Sequence, residues 1–168
     1  NRWKLWPSEK MAAVVRELLA DNVTVFLVGS RRGRVEAERQ RLLRLPGCFS
    51  LHNDLNSDEL AAILGGAALF VGCDSGPAHV AQAVGTRTVL LFGGTEPHRW
   101  GPLGGFDGAD SGKNVVLMGG QGDWLVEESR GLPVNAAMDL LGKEAVIEVI
   151  RASLLASFSA GMGGGVRK

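Results

Sequence analysis

The chain has 168 residues, enough for one domain with an ordinary hydrophobic core. Its 18 Lys and Arg match its 18 Asp and Glu, so no overall charge directs it to nucleic acid or to a membrane surface. Its two cysteines, Cys48 and Cys73, lack metal-type spacing and point by default to a reducing compartment. No apolar run approaches the roughly 18 residues of a bilayer span, and no signal peptide is visible.

From the N-terminus, Trp3-Lys4-Leu5-Trp6-Pro7 leads to Ser8 at a helix-cap position. Met11, Val14, Val15, Leu18 and Leu19 then recur at three- and four-residue spacing, which predicts an amphipathic helix over 8–20. The β-branched run Val23–Val28, ending in Gly29, reads as a buried parallel strand. A helix over Val35–Leu45 and a weak strand over Cys48–Leu51 follow. Ser57 is expected to cap a helix reaching Leu64, with Asp58 and Glu59 complementing the dipole in its first turn.

A strand over Ala68–Val71, a helix from Pro77 to Val84 and a strand over Thr88–Phe92 come next. Gly93–Lys113 reads as a long irregular segment, the kind that is functional or disordered. Asn114–Met118 is a last strand, Gly119–Gly142 has no clear pattern beyond Leu125–Ser129, and Ala145–Leu155 is an amphipathic helix. Residues 1–156 are thus expected to form one domain and 157–168 a disordered tail, with Gly161–Lys168 its glycine-rich end. Alternating strands and helices predict an α/β fold: a Rossmann-like parallel sheet with helices on both faces.

The chemistry centres on Gly72-Cys73-Asp74-Ser75-Gly76-Pro77-Ala78-His79, where an apolar strand ends, a polar turn follows and a helix begins. Pro suits a first helical position because its missing N–H would have no partner there. The N–H groups of Gly76, Ala78 and His79 would face the strand's carboxyl end, where helix dipole and free donors favour an anion. Ligands of open α/β sheets bind at that place. A turn that only reverses the chain fits the same residues.

Asp74-Ser75-Gly76-Pro77-Ala78-His79-Val80-Ala81, then Ala83-Val84-Gly85 and Val89-Leu90-Leu91-Phe92-Gly93-Gly94-Thr95-Glu96-Pro97, resembles the signature of the heptosyltransferases of glycosyltransferase family 9. Lys4-Leu5-Trp6-Pro7 resembles the family's Lys-x-Trp-Pro motif, and His98-Arg99-Trp100-Gly101-Pro102 continues the likeness. Where many relatives have Gly-Pro-Thr, this chain has Gly93-Gly94-Thr95, and the family's late cysteine-containing stretch appears around Leu132–Met138 without cysteine.

The resemblance implies the C-terminal, nucleotide-sugar half of a two-domain GT-B enzyme, with the preceding acceptor domain and its aspartate base outside this chain. It implies inverting transfer of a heptose-type sugar from ADP-heptose to a lipopolysaccharide core, in the cytoplasm, with or without peripheral attachment to the inner membrane. It gives Lys4 the departing diphosphate and Asp74 the donor sugar. Ser75, Gly76, Pro77, Ala78, His79 and Thr95 complete the donor-binding set, with Gly76, Ala78 and Thr95 joining Lys4 at the diphosphate, and ribose falls to Glu36 or Glu38, with Glu36 preferred. No cofactor is implied beyond the nucleotide-sugar. No carboxylate cluster accompanies Asp74, so no metal is expected.

Each residue also has a plainer reading. Lys4 could be a solvated lysine, Glu36 and Glu38 part of a charged helix face, and His79 a packing histidine. Arg31, Arg32, Arg34, Arg39, Arg41 and Arg44 could meet phosphate groups, but as a run they read better as a solvated face. A non-catalytic nucleotide-binding module of a larger protein is the rival function. A nucleotide-sugar epimerase ranks below both, because those relatives lack the Lys-x-Trp-Pro and Asp-Ser-Gly-Pro pairing.

Overall fold

A computed structural model describes residues 4–29, 36–51, 55–93, 95, 97–102, 113–119 and 136–162, without the side chains of 36–38, 136 and 160–162. In order they form α1 (Ser8–Ala20), β1 (Val25–Leu27), α2 (Glu36–Leu42), β2 (Cys48–Ser50), α3 (Ser57–Gly65) and β3 (Phe70–Cys73). Then come α4 (Gly76–Ala83), β4 (Thr88–Phe92), α5 (Pro97–Trp100), β5 (Asn114–Met118), α6 (Ala136–Leu140) and α7 (Lys143–Met162). Every strand pair is parallel, in two ladders: β1 with β2, and β3–β4–β5 with β4 central.

The periodicity of β4 explains the layering. All five of its residues are buried. Val89 and Leu91 join Trp6, Val14 and Leu18 of the N-terminal segment and α1, Met138 of α6, and Val146, Ile147 and Ile150 of α7. The alternate residues Leu90 and Phe92 join Leu64 of α3, Phe70 of β3, and Ala78 and Ala81 of α4. Successive side chains of a strand point to opposite faces, so helices cover both sides, as the α/β reading requires. Val25 of β1 packs on the first of these clusters, so both ladders share a core. Each fully buried Val or Leu here stabilises by about 1.5–3 kcal/mol.

Several expected boundaries shift for local reasons. Pro7, not Ser8, stands at the N-cap of α1, and no side chain caps that helix. Asn56, not Ser57, caps α3: its side chain accepts from the N–H groups of Asp58 and Glu59, while Glu59 Oε2 accepts from the Asn56 N–H at 2.8 Å. This reciprocal box is worth about 0.5–2 kcal/mol. β1 is shorter than Val23–Val28 and not fully buried; Phe26 is half exposed and stacks on Phe49 of β2, with centroids 5.5 Å apart. Strand β3 runs two residues later than Ala68–Val71.

The segment expected to be irregular contains α5, and α6 lies in the stretch without clear pattern. α7 continues to Met162, so residues 157–162, expected in a disordered tail, are helical. The arginine run also divides. Arg41 and Arg44 are exposed, but Arg39 is buried and donates to Ser50 Oγ at 2.8 Å. Arg31, Arg32 and Arg34 lie outside the described residues.

Close backbone contact, not a turn, explains two glycines. A Cβ at Gly119, just past β5, would run into the Ala137 carbonyl of α6, and one at Gly93, just past β4, would lie 2.5 Å from Met138 Cγ. These contacts bring α6 down onto the carboxyl ends of β4 and β5. Gly119→Ala is therefore expected to lower stability by about 1–3 kcal/mol through overpacking against backbone. Thermal unfolding checks it, and an unchanged Tm would show that α6 can move aside freely.

Candidate active site

The site forms where β3 ends and α4 begins. Ser75 is the N-cap of α4 with extended backbone and makes no side-chain cap bond; Gly76 opens the helix and Pro77 follows. Among the described residues the N–H groups of Gly76 and Ala78 have no hydrogen-bond partner, as an anion site needs. The His79 N–H differs from expectation, because it donates to the Ser75 carbonyl at 3.2 Å. Two free amides, not three, therefore face the strand end. The φ of Gly76 is not left-handed, and a Cβ there would meet nothing within 4 Å. Its use is open space beside the free amides, not backbone strain.

Asp74 is the hub. Its side chain is only 5% exposed, and Oδ2 accepts from Lys4 Nζ at 2.6 Å. Its other oxygen, Oδ1, lies 3.4 Å from His79 Nε2. Lys4, 70 positions earlier in the chain, is thereby held over the entrance of α4. Lysine has three donors, and Asp74 takes one of them with this geometry. A part-buried, charge-assisted bond of this length is of the stronger kind. Lys4 Nζ also stands 5.8 Å from the ring centroid of Trp100, and the Arg99 guanidinium lies 5.4 Å from the same ring. Trp100 is half exposed at the end of α5. An aromatic face within about 6 Å favours the cation, so Trp100 helps to hold Lys4 in place.

The motif Lys4-Leu5-Trp6-Pro7 acquires a structural reason here. Trp6 is buried; its backbone N–H donates to Cys73 Sγ at 3.4 Å, and its Nε1–H donates to the Leu141 carbonyl at 3.1 Å. It thus ties the residue two before it to the end of β3 and to the α6–α7 turn. Lys10 Nζ donates to that same Leu141 carbonyl at 3.1 Å. Trp6→Phe leaves the acceptor partnered and is expected to cost only about 0.5–1.5 kcal/mol. Trp6→Ala opens a cavity and is expected to cost about 3–5 kcal/mol. Chemical unfolding of both variants checks the order; equal costs would mean the ring contributes through its N–H alone.

Thr95 is buried just beyond the carboxyl end of β4, and the α4 entrance follows the carboxyl end of the parallel neighbour β3. Cys73 sits between Asp74 and the core; burial pushes its thiol up from the usual range, with the Trp6 N–H acting the other way. It stays a protonated packing group. Glu36 opens α2, but the side chains of Glu36 and Glu38 lie outside the described ones, as do Gly94, Glu96 and 120–135. Among the described residues no three His, Cys, Asp or Glu gather as metal ligands, and no helix is long and apolar enough to cross a membrane. The sequence reading missed Trp6 as an anchor and Trp100 as Lys4's platform, although both lie inside quoted motifs.

The fold places this unit in a known class. It superposes on E. coli ADP-heptose lipopolysaccharide heptosyltransferase II with a TM-score of 0.69 at 24% identity, over 90% of this chain and 42% of that one. A glycosyltransferase family 9 protein from Veillonella parvula gives a TM-score of 0.74 at 20% identity, over 91% and 42%. E. coli heptosyltransferase WaaC, solved with ADP, gives 0.66 at 18% identity, over 89% and 40%. These likenesses establish a Rossmann-like unit of the kind found in GT-B heptosyltransferases.

Residues 2–109 match glycosyltransferase family 9 (heptosyltransferase), and the chain belongs to that family. It is 34% identical over 103 residues to an Escherichia coli lipopolysaccharide heptosyltransferase 3, covering 60% of this chain and 30% of that protein. The K12 counterpart is 31% identical over 105 residues, with the same coverage. The chain thus spans about a third of the curated relatives it matches and about two fifths of the solved ones.

Proposed function

We propose that this chain is the donor-binding part of an inverting heptosyltransferase, taking a nucleoside-diphosphate heptose, ADP-heptose in the first instance, for transfer to a lipopolysaccharide core. The observation that carries this reading is the Lys4–Asp74 pair across the free N–H groups of Gly76 and Ala78. Family membership and the fold shared with an ADP-bound heptosyltransferase support it.

In the reaction, an acceptor hydroxyl oxygen bonds to the anomeric carbon of the heptose. The bond from that carbon to the β-phosphate oxygen breaks, and its electron pair leaves with ADP. The anomeric configuration inverts, and the hydroxyl proton passes to a base. The leaving diphosphate gains negative charge as the bond breaks, so donors fixed beforehand lower the barrier. Lys4 and the amides of Gly76 and Ala78 are given that role, with Thr95 beside them. Asp74, through Oδ1 and with His79, is assigned to the sugar hydroxyls, since a carboxylate repels a diphosphate but accepts well from hydroxyls. Glu36 or Glu38 is assigned to ribose. The general base is assigned to an acceptor domain outside these residues, so this chain alone is inactive in this reading.

With Lys4 and a helix terminus in place of a cation, ADP binding is expected to survive EDTA unchanged. Calorimetry with and without chelator checks it. A strict requirement for Mg²⁺ would overturn this description of the site.

A further inference from the structure

We propose that the groove formed by Arg87, Lys113 and Ser157, at the end of the sheet opposite the donor site, binds a phosphate-type oxyanion. The donor site follows the carboxyl ends of β3 and β4. This groove instead precedes the amino ends of β3, β4 and β5: Ala67 and Ala68 lead into the first, Thr86 and Arg87 into the second, Lys113 into the third. At about 3.3 Å per strand residue, the two places lie roughly 15 Å apart.

The groove encloses about 260 Å³ and is also lined by Gly65 and Gly85. Among the described residues its walls carry two cations and no carboxylate. In a chain with equal numbers of acidic and basic residues, that is a local imbalance. Among the described residues neither Arg87 nor Lys113 pairs with an acid. Arg151 does the opposite: it reaches Asp21 at 2.7 Å and Glu17 at 3.2 Å. Arg87 is fixed by a neutral group instead. Its Nε–H donates to Ser157 Oγ at 3.1 Å, and that hydroxyl stands 2.9 Å from the Ala68 carbonyl and 3.0 Å from the Ser153 carbonyl.

Among the described residues the half-buried guanidinium is thus fixed through its Nε–H and meets no counter-charge. Such a cation loses solvation without gaining a counter-charge, and an oxyanion supplies one. The planar guanidinium fork suits phosphate oxygens. The small side chains of Gly65, Ala67, Ala68 and Gly85 leave room for the oxyanion beside the backbone. Two sources share this chemistry: a soluble phosphate ester, and the headgroup of an anionic phospholipid. Leu155 and Phe158 are exposed one turn apart on α7, the helix that supplies Ser157.

The test is amide NMR of the ¹⁵N-labelled chain during titration with inorganic phosphate. Saturable shifts are expected at Ala67, Ala68, Gly85, Thr86 and Arg87. Amides of Gly76 and Ala78 report the donor site separately, so failure at one place is distinguishable from failure at the other. Lys113→Gln, at an exposed position, and Arg87→Gln are each expected to weaken the groove's response by roughly tenfold, the usual scale for one charged contact. In a second arm, the chain is sedimented with phosphatidylglycerol or phosphatidylcholine vesicles. Variant-sensitive binding to the anionic vesicles alone assigns the source to a lipid headgroup; phosphate binding without it assigns a soluble ester. Absence of saturable shifts together with absence of variant-sensitive vesicle binding overturns the proposal, as do shifts indifferent to both substitutions.

Discussion

Lys4→Ala is expected to weaken ADP binding by one to two orders of magnitude while leaving adenosine almost untouched. The ammonium is held over the entrance of α4 by Asp74 at 2.6 Å, and a charge-assisted contact with a phosphate is worth about 1.5–3 kcal/mol. Adenosine has no phosphate for Lys4 to meet. The substitution has a second consequence: Asp74, 5% exposed, loses its strongest partner and, among the described residues, keeps His79 at 3.4 Å. A buried carboxylate left so poorly paired costs stability, so part of the ADP loss could come from a loosened turn. Lys4→Ala combined with Asp74→Asn separates these effects. Asn cannot be left as an orphan charge, so the double variant should regain thermal stability and still bind ADP poorly. Calorimetry and melting curves on both variants decide it. Equal losses for ADP and adenosine would remove Lys4 from the site.

The same pair shows which features were legible in the sequence. Lys4 and Asp74 each carried a role, diphosphate and sugar, but nothing in the spacing joined residues 70 positions apart. Only the fold brings the N-terminal segment to the end of β3, and it does so through Trp6, whose apolar ring gave no sign of the two hydrogen bonds it makes. β4 and β5 were found to the residue because each is a continuous β-branched and apolar run, although only β4 is buried on both faces.

β1 was drawn too long because Val23-Thr24-Val25-Phe26-Leu27-Val28 is uniformly apolar apart from Thr24, yet three of its residues make the ladder. The Asn56 cap was missed in favour of its neighbour Ser57, since both types cap well and only the capping box with Glu59 separates them. α6 was not found because five residues carry too little periodicity to register. Its place is marked instead by Gly93 and Gly119, whose backbones it touches.

Under the proposed reading, the chain by itself is expected to bind ADP and transfer no sugar. Its affinity should depend on the open space beside Gly76. Gly76→Val needs no strained φ and its Cβ points into open space, so the helix should form as before and far-UV circular dichroism should not change. The isopropyl group would then occupy the space next to the free amides of Gly76 and Ala78, and ADP affinity should fall at least about tenfold, the loss of one charge-assisted contact or more. Unchanged affinity in Gly76→Val would mean that the turn only reverses the chain.

Transfer asks for more than donor binding. An acceptor hydroxyl must be held in line with the anomeric carbon, and positioning of that kind is worth about 7–11 kcal/mol of barrier. Its proton must also go to a base. The carboxylate that the described residues bring to the α4 entrance is Asp74, and it is committed to Lys4 at 2.6 Å with its other oxygen beside His79. Turnover of ADP-heptose with a lipopolysaccharide-core acceptor should therefore be undetectable with this chain and should appear when a family acceptor domain is joined ahead of Lys4. Robust transfer by residues 1–168 alone would place the base within this chain and make Asp74 the first residue to substitute.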